Sequence, residues 1–411
     1  MGCSSSSTAV EDTPHVNTPV KRGTRKLVGL PEETFELEDT VPKASETVSE
    51  AYHRLDEEIC KIESTCAGPR LLTAEAWIDH LATTFKQTHI SSTMLQRENK
   101  FAMDVTVVEI PNGIPVLSSP SESGVEVSDR SRDDTAKVRH LALKLDVALD
   151  PVKAARHEEF IARISRAAMA LEAGSFQTDM VDISRRRAQN LRRTFAQLKA
   201  LYAELDYLIA SANNGSYSSL NEQRLDGELE SAREIRDRLG GVCEQWRTAA
   251  SMIRASANGM LQSVEFWNLV GSSKDAAEKI SLALDSRTAC HGALIAMEAA
   301  QDALPQVEIP FVTVRQQSAL KHGLIYMLTD MANPARYRHT KHVLEGFLKN
   351  VEMSVRWVHD TYSDTLKKDL LEADQSVLSI AKQLREIRTN YLRQRLGSKV
   401  YVRPALRQVE F

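Results

Sequence analysis

From Leu191 the apolar residues fall at Leu191, Phe195, Leu198, Tyr202, Leu205 and Ile209, alternately four and three positions apart. A strand repeats every second residue, so this spacing commits the segment to a helix with one apolar stripe. The alternation is that of an a/d seam, where helices pack side by side at shallow angles. It predicts a bundle helix of about 35 residues, broken by Asn213-Asn214-Gly215-Ser216.

The same period recurs along the chain. Ala51, Leu55, Ile59 and Ile62 share a face in a helix starting near Val48 and ended by Gly68-Pro69, and Ala76, Trp77, Leu81 and Phe85 mark a second from about Thr73. Val105 to Ile110 is the one strand-like stretch, followed by Pro111-Asn112-Gly113 and then a Ser/Glu/Asp-rich segment, Ser118 to Asp134, read as an exposed, mobile loop. Further helices are expected from Ser219 to about Leu269, bent or broken at Gly240-Gly241, and from Ser273 to Leu304. Others run from Arg315 to Met331 and from Ala335 towards Leu396, the last as a rod or folding back near Ser363-Asp364. The predicted fold class is all-α, a long-helix bundle of coiled-coil-like antiparallel helices with a disordered N-terminal tether. Its expected divisions are a tether over 1–46, a small helical region with an extended segment and loop over 47–135, the bundle over 136–396 and a basic tail over 397–411.

With 42% apolar residues in 411, the chain can bury a large core. Its net charge of −4 gives no reason to expect nucleic acid. The five cysteines, Cys3, Cys60, Cys66, Cys243 and Cys290, are odd in number and scattered, unlike a disulfide framework. No apolar run is long enough for a membrane span, and the N-terminus lacks the apolar core of a secretory signal.

The opening Met1-Gly2-Cys3-Ser4-Ser5-Ser6 matches the pattern for N-myristoylation, with Gly2 offering an unhindered amine and Cys3 a thiol for palmitoylation beside it. It resembles the start of dually acylated kinases, G-protein subunits and small membrane adaptors, although Ser7 stands where many of those carry lysine. The resemblance covers about seven residues and implies lipidation at Gly2 and Cys3 and residence on the cytoplasmic face of a membrane, expected to be the plasma membrane. A single myristoyl chain binds only at about 10⁴ M⁻¹, so a second signal is needed. Cys3 supplies one, and Lys21, Arg22, Arg25 and Lys26 supply another, at about 1 kcal/mol per charge near an anionic leaflet.

The chain shows no assembled catalytic constellation. No glycine loop has the spacing that cradles phosphates, and His157-Glu158-Glu159 lacks the second histidine of a zincin helix. His339, His342 and Glu345 can share a face but lie among Arg336, Arg338 and Lys341, which disfavour a cation. Neither an enzyme, a metal site nor a cofactor is expected.

Cationic charge is segregated instead. Arg185, Arg186, Arg187, Arg192 and Arg193 place five guanidiniums in nine residues without an acid, and Arg385, Arg388, Arg393 and Arg395 lie in a tail opposed only by Glu386. Such faces attract anionic lipid or an acidic partner, or pair within the protein. The C-terminal Val409 and Phe411 resemble one class of PDZ-domain ligand. The reading is a lipid-anchored scaffold or adaptor that binds protein partners at a membrane. The alternative is a membrane-shaping or membrane-sensing protein, similar to crescent-shaped BAR-type homodimers and using the same arginine faces.

Overall fold

Several helices begin where polar side chains cap them. Thr47 and Glu50 form a capping box at α1 (Val48–Glu63), Ser219 accepts from the Glu222 amide at α6 (Leu220–Ser272), and Asp275 accepts from the Glu278 amide at α7 (Ala276–Ala303). Asn333 caps α10 (Pro334–Thr361), whose first residue is the proline that needs no donor there. The computed structural model describes residues 46–106, 127–213 and 219–401, with side chains for 46–86, 136–211 and 219–401. Among these the chain is an all-helical bundle, and its one non-helical pairing is an isolated antiparallel bridge between Thr47 and Val400.

Three helical columns span the bundle. They are α5 (Glu158–Asn213), 56 residues and so about 84 Å long, α6, 53 residues and about 80 Å, and α10 continued by α11 (Lys367–Leu396). The long C-terminal helix does not fold back. A π-helical turn, Tyr362–Leu366, joins α10 to α11 with helical backbone on both sides. The column then runs antiparallel to α6 throughout, as its contacts show in order: Tyr337 stacks on Trp267 at 5.3 Å, Trp357 meets Trp246 at 5.8 Å, the Arg247 Nε donates to the Tyr362 hydroxyl at 2.8 Å, and Arg388 reaches Glu222 at 2.8 Å. A π turn absorbs an extra residue without ending the hydrogen-bond ladder.

α7 returns along the C-terminal half of α6. The two approach closely because Gly259 faces Ala289 and Ala293, and Ser263 and Ser286 hydrogen-bond across the seam at 3.1 Å. The other half of the column is covered by α1 and α2 (Ala67–Thr106), which share their cores with α5, α6 and α11. Tyr52, Leu55 and Ile59 pack against Leu198, Leu205 and Leu208, while Trp77 and Leu81 join the large core of α6, α7 and α10. Short helices α4 (Pro151–Arg156), α8 (Val314–Leu324) and α9 (Met327–Asp330) gather around the α7 and α10 end.

Several sequence expectations shift. The α1–α2 break lies at Ser64-Thr65-Cys66, with Cys66 in the left-handed region at φ 51°, and Gly68-Pro69 falls inside the first turn of α2, where proline is tolerated. α6 passes Gly240-Gly241 without a break, because these glycines seat the α1–α2 turn: a Cβ on Gly240 would stand 2.6 Å from the Cys66 Cβ. Val105 and Thr106 close α2 rather than opening a strand, and Val107 to Ile110 lie outside the described residues. Val127 to Asp134 form the first turns of α3 (Val127–Lys144) rather than a loop. Val138 and Ala142, four residues apart, are both buried in the core, the spacing of one helix face.

Candidate anion-binding surface

The arginine-rich segments divide by helix face. On α5, Arg187 turns inward, 26% exposed, and its Nε lies 2.7 Å from the fully buried Glu244 of α6. Arg70 of α2 meets the same carboxylate at 2.9 Å, so two guanidiniums share one acid and a surplus positive charge remains behind this wall. Arg185, at 64% exposure, points outward with Arg186, Arg192 and Arg193. Their partners are modest: Arg185 lies 3.4 Å from Asp182, Arg192 lies 2.7 Å from Glu75, and Arg186 and Arg193 make no ion pair among the described residues.

The second arginine group is mostly spent inside the bundle. Arg385 bridges Asp56 and Glu57 of α1, and Arg388 holds Glu222 at 2.8 Å and Asp226 at 2.9 Å. These pairs lock α11 to α1 and α6, which removes Arg385 and Arg388 from the cations open to an external anion. Arg393 is exposed, and Arg395 is exposed and lies over the Tyr391 ring. Gly2, Cys3, Lys21, Arg22, Arg25, Lys26, Val409 and Phe411 lie outside the described residues.

Among the described residues, the surface hollows include two formed around α2. One, of about 440 Å³, is formed by α5 and α2 and lined by Arg185, Arg186, Arg192, Gln189, Asp182, Ala188 and Ile78. Residues 185, 189 and 192 are four and three apart, so one helix face presents them together, and α2 completes the floor where Ile78 packs against the cluster of Ala188, Leu191 and Ala74. The other, of about 380 Å³, lies where α2 meets α6 and the end of α7, and includes Trp77, Gln245 and Pro305. In its lining the His80 Nε2 is 3.8 Å from Asp302, with both side chains half exposed, and the Thr73 and Thr248 hydroxyls donate to the carbonyls of Pro69 and Glu244.

Charges that the sequence did not single out lie deep between the helices. Glu172 of α5 meets Arg287 of α7 at 2.5 Å and the His291 Nδ1 at 3.8 Å, and Arg287 is wholly buried. Burial pushes the Glu172 carboxyl up, but the adjacent His291 and Arg287 outweigh it and hold the group below its usual range. Towards the end where α5 closes and α6 begins, buried Glu63 accepts from the Tyr202 hydroxyl and lies 3.2 Å from Arg233. Buried Arg236 stands between that carboxylate, at 3.7 Å, and Asp374, at 3.8 Å. The available signal was charge inside an apolar stripe, as at Glu172 between Leu171 and Ala173 or Arg287 between Leu284 and Cys290. Cys60, Cys66, Cys243 and Cys290 are free and buried, and burial pushes the thiols of Cys60 and Cys66 up to about 11 and that of Cys290 to about 12.

His339 and His342 are exposed on α10, and Glu345 of the same face pairs with Lys341 at 3.7 Å. Among the described residues no group of three or more His, Cys, Asp or Glu is placed to hold a metal ion, and no helix is long and apolar enough to cross a membrane. The chain matches no protein-family model, no curated protein and no solved structure.

Proposed function

We propose that this chain is a lipid-anchored adaptor whose rigid helical body is held at a membrane surface and presents its faces to protein partners. The observation that carries the reading is Met1-Gly2-Cys3-Ser4-Ser5-Ser6, which supplies the amine for one acyl chain and the thiol for a second. Two features support it. The Glu46 carbonyl accepts from the Tyr401 amide at 2.8 Å, so both chain ends leave the body at one end of the rod, away from most of its length. The buried ionic groups also link helices to one another rather than converging on an open pocket, as expected of a rigid spacer rather than an enzyme.

The membrane-shaping alternative calls for cations spread along one long face. The exposed arginines of α5 instead cluster at residues 185–193, about 12 Å of helix, while Arg166 stands apart near the helix start, 3.5 Å from Glu159. That grouping suits a localised contact and favours the adaptor. The test is fractionation of cells expressing the full chain beside Gly2→Ala and Cys3→Ser forms. The native chain should sediment with membranes, Gly2→Ala should become soluble, and Cys3→Ser should be held weakly. A native chain that stays soluble would refute the anchor.

A further inference from the structure

We infer that the hollow formed by Arg185, Arg186, Gln189 and Arg192 binds phosphomonoester groups, and that the carrier is a multiply phosphorylated membrane-lipid headgroup. Its location at a bilayer rests on the adaptor reading; the binding chemistry does not.

Three guanidiniums and one carboxamide line the hollow against one carboxylate, Asp182, which lies 3.4 Å from Arg185. Arg192 is bound to Glu75 at 2.7 Å and is thereby positioned, while Arg186 makes no ion pair among the described residues. Behind the wall, Arg187 and Arg70 share Glu244 and leave the local field positive. A guanidinium donates through a planar fork that fits two oxygens of one phosphate, and a dianionic monoester gains more from three such forks than a carboxylate does. Gln189 adds an amide donor to the same face.

Folding alone gives no reason for this arrangement. Like charges on neighbouring positions of a helix face repel, and an exposed helix satisfied for stability alone interleaves acids at three- or four-residue spacing. Residues 183–203 of α5 contain no acid. The hollow, of about 440 Å³, has room for a compact, sugar-sized polyphosphate.

The test uses the unacylated full chain, so that loss of the anchor cannot mimic loss of the site. Binding is measured to a soluble inositol polyphosphate, to vesicles bearing phosphatidylinositol bisphosphate, and to phosphatidylserine vesicles of equal total charge. The expected result is saturable binding of the soluble headgroup and preference for the phosphoinositide vesicles. Arg186→Gln should weaken both by about ten-fold, as for one lost charge-assisted contact, and the triple change of Arg185, Arg186 and Arg192 to Gln should abolish them. Arg238→Gln, on an exposed face of α6, should change nothing. Arg186→Lys should recover only part of the affinity, because charge remains but the fork is gone. Equal binding to both vesicle types with no binding of the soluble headgroup would overturn phosphate recognition, and headgroup binding without vesicle preference would overturn the lipid as carrier. Unaltered binding by a folded triple variant would overturn the site itself.

Discussion

Gly240→Ala and Gly227→Ala place the same methyl group in the same helix with opposite expected effects. Gly227 faces solvent, and a Cβ there meets nothing within 4 Å, so alanine should stabilise α6 by about 1 kcal/mol through helix propensity. At Gly240 the Cβ would stand 2.6 Å from the Cβ and 2.9 Å from the Sγ of Cys66. Ordinary carbon contacts lie at about 3.5–4.0 Å, so the α1–α2 turn must move by about 1 Å. Cys66 gives way poorly, because it is buried and its left-handed backbone forms the turn. Overpacking of this kind costs about 1–3 kcal/mol, which cancels or exceeds the propensity gain.

The urea midpoint of Gly227→Ala should therefore rise, and that of Gly240→Ala should stay level or fall, leaving about 1–3 kcal/mol between them. Cys66→Gly in the Gly240→Ala background removes both clashing atoms and suits the left-handed backbone. A double-mutant cycle should then return a coupling of about 1–3 kcal/mol. Equal stabilisation by the two alanine substitutions would refute the seating of Cys66 against Gly240.

In a Cys3→Ser chain, the four body thiols should be silent towards a disulfide reagent at neutral pH and should all react in denaturant, since burial raises them and blocks access; prompt release of a thiol by the native protein would contradict their placement. Arg287→Met should cost about 3–5 kcal/mol by removing the guanidinium that the buried Glu172 faces, and adding Glu172→Leu should recover most of it; a cost of the single change below about 1 kcal/mol would show the pair to be hydrated. Glu172 sits below its usual range in the fold, so it contributes stability above the ordinary carboxylate pKa and loses it as pH falls through the lowered value. Asp330 has the opposite sign: burial raises it despite Thr340 and Arg336, so protonation adds stability as pH falls through the raised value. In urea midpoints taken from neutral pH to about pH 3, Glu172→Gln should flatten the acid loss and Asp330→Asn should steepen it, and identical slopes in all three proteins would refute both assignments.

The helical class was legible because apolar spacing and caps are local. Asn333-Pro334, Ser219 and Asp275 mark their helix starts without reference to anything distant in sequence. The interruptions were not legible, because each depends on a neighbour. Gly240-Gly241 looks like a break until Cys66 and Thr73 are seen to occupy the space beside it. The π turn at Tyr362–Leu366 faces Arg247 and Cys243 on α6, contacts that no local pattern encodes. The arginine surface was half legible for the same reason. Composition marks Arg185, Arg186 and Arg187 alike, yet a rotation of about 100° per residue sends Arg187 to Glu244 and leaves Arg186 facing solvent.

That rotation bears on how the body would sit on a membrane. The chain ends leave near Glu204, whose carboxylate accepts from the Tyr401 hydroxyl at 3.1 Å, and Arg192 and Arg185 lie about 18 and 29 Å further back along α5. The residues before Glu46, at most about 3.5 Å each, could reach about 150 Å, far more than either distance. On the proposed reading, acylation at Gly2 and Cys3 would fix proximity but not orientation. If the hollow also engages headgroups, the α5 wall must face the bilayer, and the rod lies along it with the opposite side turned to the cytoplasm. The arginine substitutions should then change the orientation of the bound protein without releasing it, whereas Gly2→Ala should release it. Surface-sensitive fluorescence from a dye on the exposed far side of α10 separates the two, and an orientation unchanged by loss of the three arginines would show that the hollow plays no part in setting it.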